Sequence, residues 1–510
     1  MHISPVCVYL LLLVNFAYSG RVMRKMKEYV HRAQHQRAKE HLLMRATSGK
    51  AHVNDIKEGV IHQPLDHFAG QSSETFPQRY FINEEHWDRP NGPVFLYIGG
   101  EAAISTYSVM TGHHVAMAEE HRALLVALEH RFYGTSINPD GLQTKKLSYL
   151  RSQNNLADLV AFHQFISQTY GLSHKNTWIS FGGSYPGSLS AWFRGKFPHL
   201  IYGAVASSAP IKAKLDFSTY NKVVGESLMN EAVGGSEKCL GTVREAFAAV
   251  EAKLLGGNQT QVGKDFGSCK PLEQPEDQTE LMQGLADIVM GTVQYDREGA
   301  PLTIERLCTI ITNASEAFKQ EEEAYDRLVK LVKVYQDRAG ESCLQTSFAQ
   351  SVQELNDTTV KPSGVGVRQW LYQTCTEFGY YQTCENASCP FSRMLTLQAQ
   401  TVLCPLLFGV SQSSLASNVA FTNKYYGGDH PLTHRVLYVN GDIDPWHALS
   451  MLRNGTAKAD KDRAILIGGT AHCADMSSAR SGDPPTLTEA RREIEMHVAS
   501  WLKSATWEHL

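Results

Sequence analysis

Short apolar runs alternate with helix-like stretches from about residue 93 onward. The apolar runs end in Gly-rich or polar turns, as in "GPVFLYIGGE", "RALLVALEHRFYG", "NTWISFGGSYPG" and "YGAVASSAP". Runs of this kind are typical of strands buried in a parallel sheet. The stretches between them, such as "LADLVAFHQFISQTY" and "SLSAWFRGKF", have helical character. We therefore predict an α/β sheet covered by helices on both faces.

The same alternation returns near the C-terminus. It is found in "HRVLYVNGDIDPW" and "DRAILIGGTAHCADM", which precede an amphipathic helix, "LTEARREIEMHVASWLK". Helical patterns with little strand signal fill the chain between them. We predict one core in two parts, 56–214 and 416–510, interrupted by a helical insertion over 215–415. Insertions commonly enter where ligands bind, which favours a lid over the site. The alternative is a domain elsewhere on the surface.

The N-terminus, "MHISPVCVYLLLLVNFAYSGRVMRK", has a short apolar run followed by small residues at Ala17 and Ser19. This pattern predicts a secretory signal over 1–19. A signal anchor is the alternative, but the run is short for a span of about 20 residues. We expect no membrane span after signal removal. The basic segment 20–55 that follows has two open interpretations, a solvated helix or a propeptide.

Nine cysteines remain once Cys7 leaves with the signal, and eight of them fall between Cys239 and Cys404. In a secreted chain this clustering predicts four disulfides within the insertion, with the pairing left open. Cys473 is left over, and we expect it to be a buried packing residue. Glycosylation sequons, which fit the secretory route, occur at Asn258, Asn313, Asn356, Asn386 and Asn454.

Charge points to no particular partner. Lys and Arg total 48 against 52 Asp and Glu, for a net charge of -4, and no long basic block lies outside the N-terminal segment. The composition therefore argues against binding of nucleic acid. We expect neither a cofactor nor a metal ion, and the sequence is silent on oligomeric state.

The stretch "FGGSYPGSLSAW" resembles the sharp turn that presents a catalytic serine between a strand and a helix. Such a turn needs small residues two places on either side of Ser184, and Gly182 meets the first requirement. Pro186 stands on the second side, at the first turn of the helix, where proline is tolerated. The backbone N–H of Tyr185 stays available for an oxyanion hole.

A serine hydroxyl needs a histidine base, which in turn needs an orienting acid. In α/β hydrolases the chain order is Ser, then Asp or Glu, then His. "VLYVNGDIDPWH" offers Asp442 and Asp444 after one strand, and spacing only slightly favours Asp444. His472 ends the last strand-like run and is the better candidate base. We expect a structural or substrate role for its local competitor, His447.

The second oxyanion donor should come from the loop after "PVFLYI". Its glycines let backbone approach a substrate closely, and the candidate N–H groups are those of Gly100 and Glu101. An ordinary glycine turn is the alternative interpretation.

Several motifs together resemble the serine peptidases that include lysosomal prolyl carboxypeptidase and dipeptidyl peptidase II. They are "LEHRFYGTS", "FGGSYPGSLSAWFRGKFPH", "GAVASSAP", "RQWLYQTCTEFGYYQTC", "NGDIDPWH" and "GTAHCADM". The resemblance implies an α/β-hydrolase core with a helical, disulfide-bonded cap. It implies a triad of Ser184, Asp444 and His472, with Trp446 near the pocket for a substrate proline.

The resemblance also implies a serine exopeptidase, proline-directed in its better-known members, that processes peptides in endosomes or lysosomes. It leaves open whether cleavage starts from the N- or the C-terminal end. In an acidic compartment a free histidine would be largely protonated, so His472 must stay partly neutral to act as a base. The alternatives are an esterase on the same fold and an inactive binding protein.

Overall fold

A computed structural model describes residues 21–47, 56–70, 74–312, 323–453 and 461–508. The proposed signal over 1–19 lies outside these residues. Eight strands form the main sheet, in the order β1-β2-β4-β3-β5-β6-β9-β10. Their bounds are Ile56–Pro64 (β1), Thr75–Asn83 (β2), Val94–Ile98 (β3), Leu124–Leu128 (β4), Trp178–Gly183 (β5), Gly203–Ser207 (β6), Val436–Gly441 (β9) and Arg463–Ile467 (β10). All strands of this sheet except β1 and β2 run parallel to one another, as the apolar runs predict.

The first two strands were not predicted. β1 pairs antiparallel with β2, and β2 pairs antiparallel with β4 at the edge of the sheet. Most of β1 is exposed or half-buried, so its sequence, "IKEGVIHQP", lacks the apolar run that marks an interior strand.

Helices cover both faces of the sheet. They are His113–His121 (α2), Thr144–Leu147 (α3), Ser152–Tyr170 (α4), Tyr185–Lys196 (α5), Leu415–Tyr426 (α16) and Pro485–Glu508 (α17). Alternate residues of β3 point to opposite faces: Leu96 belongs to the apolar cluster that contains α4 and α5, whereas Phe95 belongs to the one that contains α2 and α17. The sheet is thus buried on both sides, as the sequence predicts.

A helical cap is inserted between β6 and β9. Its helices are Thr219–Met229 (α6), Glu237–Leu255 (α7), Gln259–Asp265 (α8), Pro275–Gln294 (α9), Ile304–Ile311 (α10), Ala324–Ala339 (α11), Phe348–Asn356 (α12), Val367–Gln373 (α13), Leu397–Thr401 (α14) and Leu403–Phe408 (α15). A π-helical turn, Thr374–Phe378, continues α13. Two short parallel strands, Lys214–Asp216 (β7) and Gly379–Tyr381 (β8), pair the start of the cap with the segment that follows the π-helical turn.

Four disulfides hold the cap, as the clustered cysteines predict. The pairs are Cys239–Cys308, Cys269–Cys343, Cys375–Cys404 and Cys384–Cys389. Two of them close segments of 69 and 74 residues. In the chain-entropy account, such cross-links stabilise by restricting the unfolded chain, by about 2–4 kcal/mol each.

An N-terminal helix, Arg21–Thr47 (α1), packs on the cap. Its apolar residues Val22, Met23, Met26 and Val30 are buried. The apolar residues in the first half of α1 are thus covered, whereas its second half is exposed or half-buried. The remaining short helices are 3-10 turns at Thr106–Val109, Glu231–Val233, Gln412–Ser414, Pro445–Leu449 and Ala474–Met476.

Across the described ranges, no individual helix combines the length and apolar character needed to cross a bilayer. The pair Leu397–Phe408 and Gln412–Tyr426 meets that test only when joined, and it is bent by 112°.

Candidate active site

Ser184 occupies a strained turn between β5 and α5. Its φ of 64° and ψ of -134° lie outside the regions that side-chain-bearing residues favour. Its N–H donates to the Ser207 carbonyl of β6 at 2.9 Å, and its carbonyl accepts from Ser188 N at 3.1 Å. Strain of this kind costs about 1–3 kcal/mol and is found at functional positions. The strand, turn and helix are the elements that the sequence predicts around this serine.

The glycines around the turn leave room for Pro186. A Cβ on Gly182 would lie 2.2 Å from the Pro186 carbonyl oxygen, and a Cβ on Gly100 would lie 2.3 Å from Pro186 Cγ. Pro186 itself stands in the first turn of α5, as predicted. The proline therefore fits because a loop distant in sequence presents Gly100 to its ring. Sequence reasoning missed this pairing, since nothing in either motif points to the other.

The sequence predicts that the 99–103 loop supplies an oxyanion donor. On that basis we expect Gly100→Ala to lower kcat by about 10²-fold, the scale of losing one such donor, because the new methyl group pushes the loop away from Pro186. Pro186→Ala should restore most of this activity in the double variant, because only Pro186 Cβ would remain near the methyl group, at 3.7 Å. Steady-state turnover by the wild type, the two single variants and the double variant measures the coupling. Additive losses would contradict the steric account.

Asp444 and His472 form a hydrogen-bonded pair beneath the cavity. Asp444 Oδ2 lies 2.9 Å from His472 Nδ1, and the carboxylate is completely buried. Its other oxygen accepts from Trp446 N at 3.0 Å, which orients the carboxylate. On the other side, His472 N donates to the Gln294 carbonyl of the cap at 3.0 Å. The cap thus helps to hold the histidine.

The competing residues have other partners. Asp442 Oδ1 accepts from Gly469 N at 2.7 Å, which makes Asp442 the residue that organises the turn after β10. His447 Nδ1 lies 3.2 Å from the Gly441 carbonyl, and its ring is half-buried. Of the two aspartates, the structure brings only Asp444 to His472.

Ser184 and His472 line one cavity of about 940 Å³. A Cβ on Gly183, which precedes the serine, would lie 3.0 Å from the sulfur of Cys473, which follows the histidine. Among hydrogen bonds of the described residues, none joins the Ser184 hydroxyl to His472, and such contacts often tighten only when substrate binds. Cys473 forms no disulfide and is half-buried in this cavity wall, so the expectation of a buried packing residue is wrong.

The candidate oxyanion donors flank the serine. The N–H of Tyr185, as the first residue of α5, has no intrahelical partner. In the described part of the chain, the N–H groups of Gly100 and Glu101 also have no hydrogen-bond acceptor, whereas those of Gly99 and Ala103 donate to carbonyls. Gly100, Glu101 and Ser184 all line the cavity. The Tyr185 side chain instead points into the core, where its hydroxyl lies 3.0 Å from His130 Nε2.

Trp446 forms an aromatic wall of the cavity beside His472, with ring centroids 6.4 Å apart. Its indole N–H donates to Gln294 Oε1 at 3.0 Å, and Tyr380 packs edge-on against it at 5.3 Å. Tyr295, next to Gln294, packs edge-on against His472 at 5.9 Å. Sequence reasoning missed Gln294 and Tyr295, because no motif marks the end of α9 as part of a site.

The electrostatic environment of His472 favours its charged form. Burial lowers the pKa of His472, but the charges of Asp444 and Cys473 and the hydrogen bonds to both outweigh burial. The pKa is therefore raised well above its usual value of about 6.5. This direction is opposite to the one that a base working in an acidic compartment would need.

The five sequons differ in accessibility. Asn258 and Asn356 are exposed, and Asn386 is half-buried with its amide oxygen accepting from Ser388 N and Oγ. Asn313 and Asn454 lie outside the described residues.

The sheet order and the serine at the strand-to-helix turn after β5 define the class of α/β hydrolases. Within that class, the chain belongs to the serine carboxypeptidase S28 family, whose match covers residues 63–494, and it is a serine peptidase.

Three relatives illustrate this membership. The chain is 45% identical to human thymus-specific serine protease over 452 residues, which cover 88% of this chain and 87% of the relative. It is 32% identical to the putative serine protease K12H4.7 of Caenorhabditis elegans, with 90% and 91% covered. It is 26% identical to the bovine lysosomal Pro-X carboxypeptidase, with 87% of each chain covered.

Proposed function

We propose that the protein is a serine exopeptidase in which Ser184 is the nucleophile, His472 the general base and Asp444 the residue that orients the base. The observation that carries this proposal is the buried hydrogen bond of 2.9 Å between Asp444 and His472. His472 lines the same cavity as Ser184. That bond holds the proton on His472 Nδ1, which leaves Nε2 free to accept the serine proton.

In the first half of the reaction, Ser184 Oγ attacks the scissile carbonyl carbon while its proton passes to His472 Nε2. The negative charge that develops on the carbonyl oxygen is stabilised by the Tyr185 N–H and an N–H from Gly100 or Glu101. The tetrahedral intermediate then collapses: the C–N bond breaks, and His472 gives its proton to the leaving amine. Water repeats the sequence on the acyl-enzyme, which releases the acid product and restores the Ser184 hydroxyl.

The cap and Trp446 are proposed to select the substrate. The cavity is lined by the cap residues Tyr295 and Trp370 as well as by the core, so long or folded substrates have restricted access. An apolar aromatic face suits a proline ring, and a lysosomal Pro-X carboxypeptidase is among the relatives. We therefore propose cleavage next to proline, by removal of either a dipeptide or a single C-terminal residue.

The secretory or lysosomal route is proposed on two grounds. Four disulfides are typical of chains that fold in an oxidising compartment. A lysosomal protein is among the relatives. Glycans on the exposed Asn258 and Asn356 are part of this proposal, and their attachment would be visible as a mass loss on enzymatic deglycosylation.

A peptide library, read by mass spectrometry, tests the proposed function. The wild type should release terminal fragments from peptides with proline beside the scissile bond, and Ser184→Ala should release none. Ester turnover without peptide cleavage would replace the proposal by an esterase. No turnover of either class by the wild type, together with no fluorophosphonate labelling of Ser184, would indicate a binding protein.

We predict that the rate constant for fluorophosphonate labelling falls as pH is lowered through the pKa of His472. Because that pKa is raised, the neutral base is lost at a pH above about 6.5, and the fall should begin at or above neutral pH. Rates measured from pH 5 to 9 check this. A rate that stays constant down to pH 5 would contradict the role of His472.

A further inference from the structure

α1 forms part of the wall of the cavity that contains Ser184. Twelve of its residues, of which Met23 is the first and Met44 the last, line the same cavity as Ser184, Trp446 and His472. α1 packs along α9, where Met26 Cγ lies 3.0 Å from the Cβ position of Gly291. One turn further along, α9 ends at Gln294, whose side chain holds Trp446 and whose carbonyl holds His472. The helix is thus packed against the elements that form the site.

The middle of α1 faces the loop that carries the candidate oxyanion donors. The Lys27 ammonium lies 5.9 Å from the centre of the Trp370 ring. Burial lowers the pKa of Lys27, while the negative charge of Glu101 acts in the opposite direction, so the ammonium sits within the field of that carboxylate. Further along, His35 Nε2 lies 3.4 Å from Ser105 Oγ, just beyond the same loop.

Ion pairs anchor α1 along its whole length. Arg21 and Arg24 both contact Glu354 of α12, at 2.5 and 3.4 Å. Three further pairs follow: Lys25 with Glu341 at 3.1 Å, Arg37 with Glu298 at 3.8 Å, and Arg45 with Glu119 at 2.9 Å. A single exposed ion pair contributes little to stability. In α1 the pairs add to the burial of its apolar residues against the cap.

We propose that α1 is an internal inhibitor: it occupies the substrate cleft and must leave it before an extended peptide can reach Ser184. The inference rests on the proposed function of that serine. A helix in a cleft blocks a long substrate more than a small reagent, because only the long substrate needs the volume that α1 fills. Displacement can follow cleavage of the chain or a shift in the docking equilibrium.

Acidification should favour displacement, because α1 carries histidines on its cavity side. Burial lowers the pKa of His31 to about 4, with a further contribution from His35, and burial also lowers the pKa of His35 and His41. The cations that line the cavity with them are Arg24, Lys27, Arg37 and Arg480, and the carboxylates are Glu40 and Glu101. Three of the cations are paired with carboxylates just outside the cavity: Arg24 with Glu354, Arg37 with Glu298, and Arg480 with Glu298 and Asp483. What opposes a protonated histidine in the docked helix is therefore mainly the loss of hydration on burial.

The sign follows from linkage. The three histidines bind protons more weakly when α1 is docked, so protonation favours the displaced helix. Docking is strongest above their free pKa of about 6.5 and weakens as pH falls toward 4. Lowering the pH thus favours displacement of α1, whereas it protonates His472 and slows catalysis. Hydrogen exchange of α1 reports the first effect, and the rate of fluorophosphonate labelling of Ser184 reports the second.

The test compares two variants with the same change in charge on the same helix. Arg21→Glu/Arg24→Glu reverses both contacts with Glu354, whereas Arg32→Glu/Lys39→Glu changes two exposed residues that do not line the cavity. At pH 7.5 we expect the first variant to raise kcat/KM for a ten-residue peptide about tenfold, since a weaker docked state frees more of the cleft. The second variant should match the wild type. Adding Glu354→Arg to the first should restore inhibition.

Equal peptide kcat/KM in wild type, anchor variant and control would overturn the inference. A small fluorophosphonate separates this failure from failure of the proposed function. If it labels Ser184 in all three proteins, the catalytic proposal holds and only the inhibitory role is lost. If it labels Ser184 in none, the catalytic proposal itself fails.

Hydrogen exchange on the wild-type chain gives a second measurement that needs no anchor variant to fold. A peptidyl phosphonate bound at Ser184 should remove the protection of α1 amides. At pH 5 the unliganded wild type should also lose this protection, whereas His31→Gln/His35→Gln/His41→Gln should keep it. Protection of α1 that is unchanged by the phosphonate would overturn the inference, and equal loss in both proteins at pH 5 would overturn its acid trigger.

Discussion

Ser184→Ala is expected to lower kcat for peptide hydrolysis by about 10⁶-fold, the scale seen when a serine peptidase loses its nucleophile. The substitution removes only the hydroxyl oxygen. Alanine, like serine, bears a Cβ, so the strain at a φ of 64° is unchanged. The thermal midpoint of the variant should therefore stay close to that of the wild type, and the loss should be confined to catalysis.

The matched comparison is His472→Ala, alone and combined with Ser184→Ala. Residues that act as one unit give non-additive losses, so the double variant should be about as inactive as either single variant. The measurement is single-turnover hydrolysis of the preferred library peptide. Losses that multiply in the double variant would indicate that the two side chains act independently.

Asp444→Asn is expected to lower kcat by about 10⁴-fold. The buried carboxylate accepts a hydrogen bond from His472 Nδ1, and an amide at that position stabilises the wrong tautomer of the ring. The negative charge that raises the pKa of His472 is lost as well, so the acid limb of the pH profile should move to lower pH.

Asp442→Asn is the matched control, since it makes the same chemical change two residues away. Asp442 bonds to Gly469 N and makes no contact with His472 among the described hydrogen bonds. We expect kcat within about threefold of the wild type and a small loss of stability, of about 1 kcal/mol, from the weakened turn. Equal losses of kcat for the two asparagine variants would contradict the assignment of Asp444.

The parts that the sequence predicts well are those with local signals. Interior strands have continuous apolar runs, the serine turn has its flanking strand and helix, and eight clustered cysteines indicate four bonds. The choice between Asp442 and Asp444 was nearly even on spacing alone, and the family motif favoured Asp444. Local chemistry thus predicts which side chains form the candidate site.

The parts that the sequence does not predict depend on contacts between distant segments. β1 and β2 form an exposed edge without an apolar run. Gly100 must lack a side chain because of Pro186, which lies in another motif. The disulfide pairing and the position of α1 in the cavity wall depend on how the cap folds back onto the core. The pattern of apolar and polar residues along the chain does not predict these contacts between distant segments.

The most direct measurement is to locate a covalent fluorophosphonate adduct by peptide mass spectrometry. It is made at pH 8 on the wild type and on Arg21→Glu/Arg24→Glu, so that α1 cannot mask the result. The account predicts one adduct, on Ser184, that forms much more slowly in His472→Ala and in Asp444→Asn. An adduct on another residue, or no adduct in either protein, would contradict it.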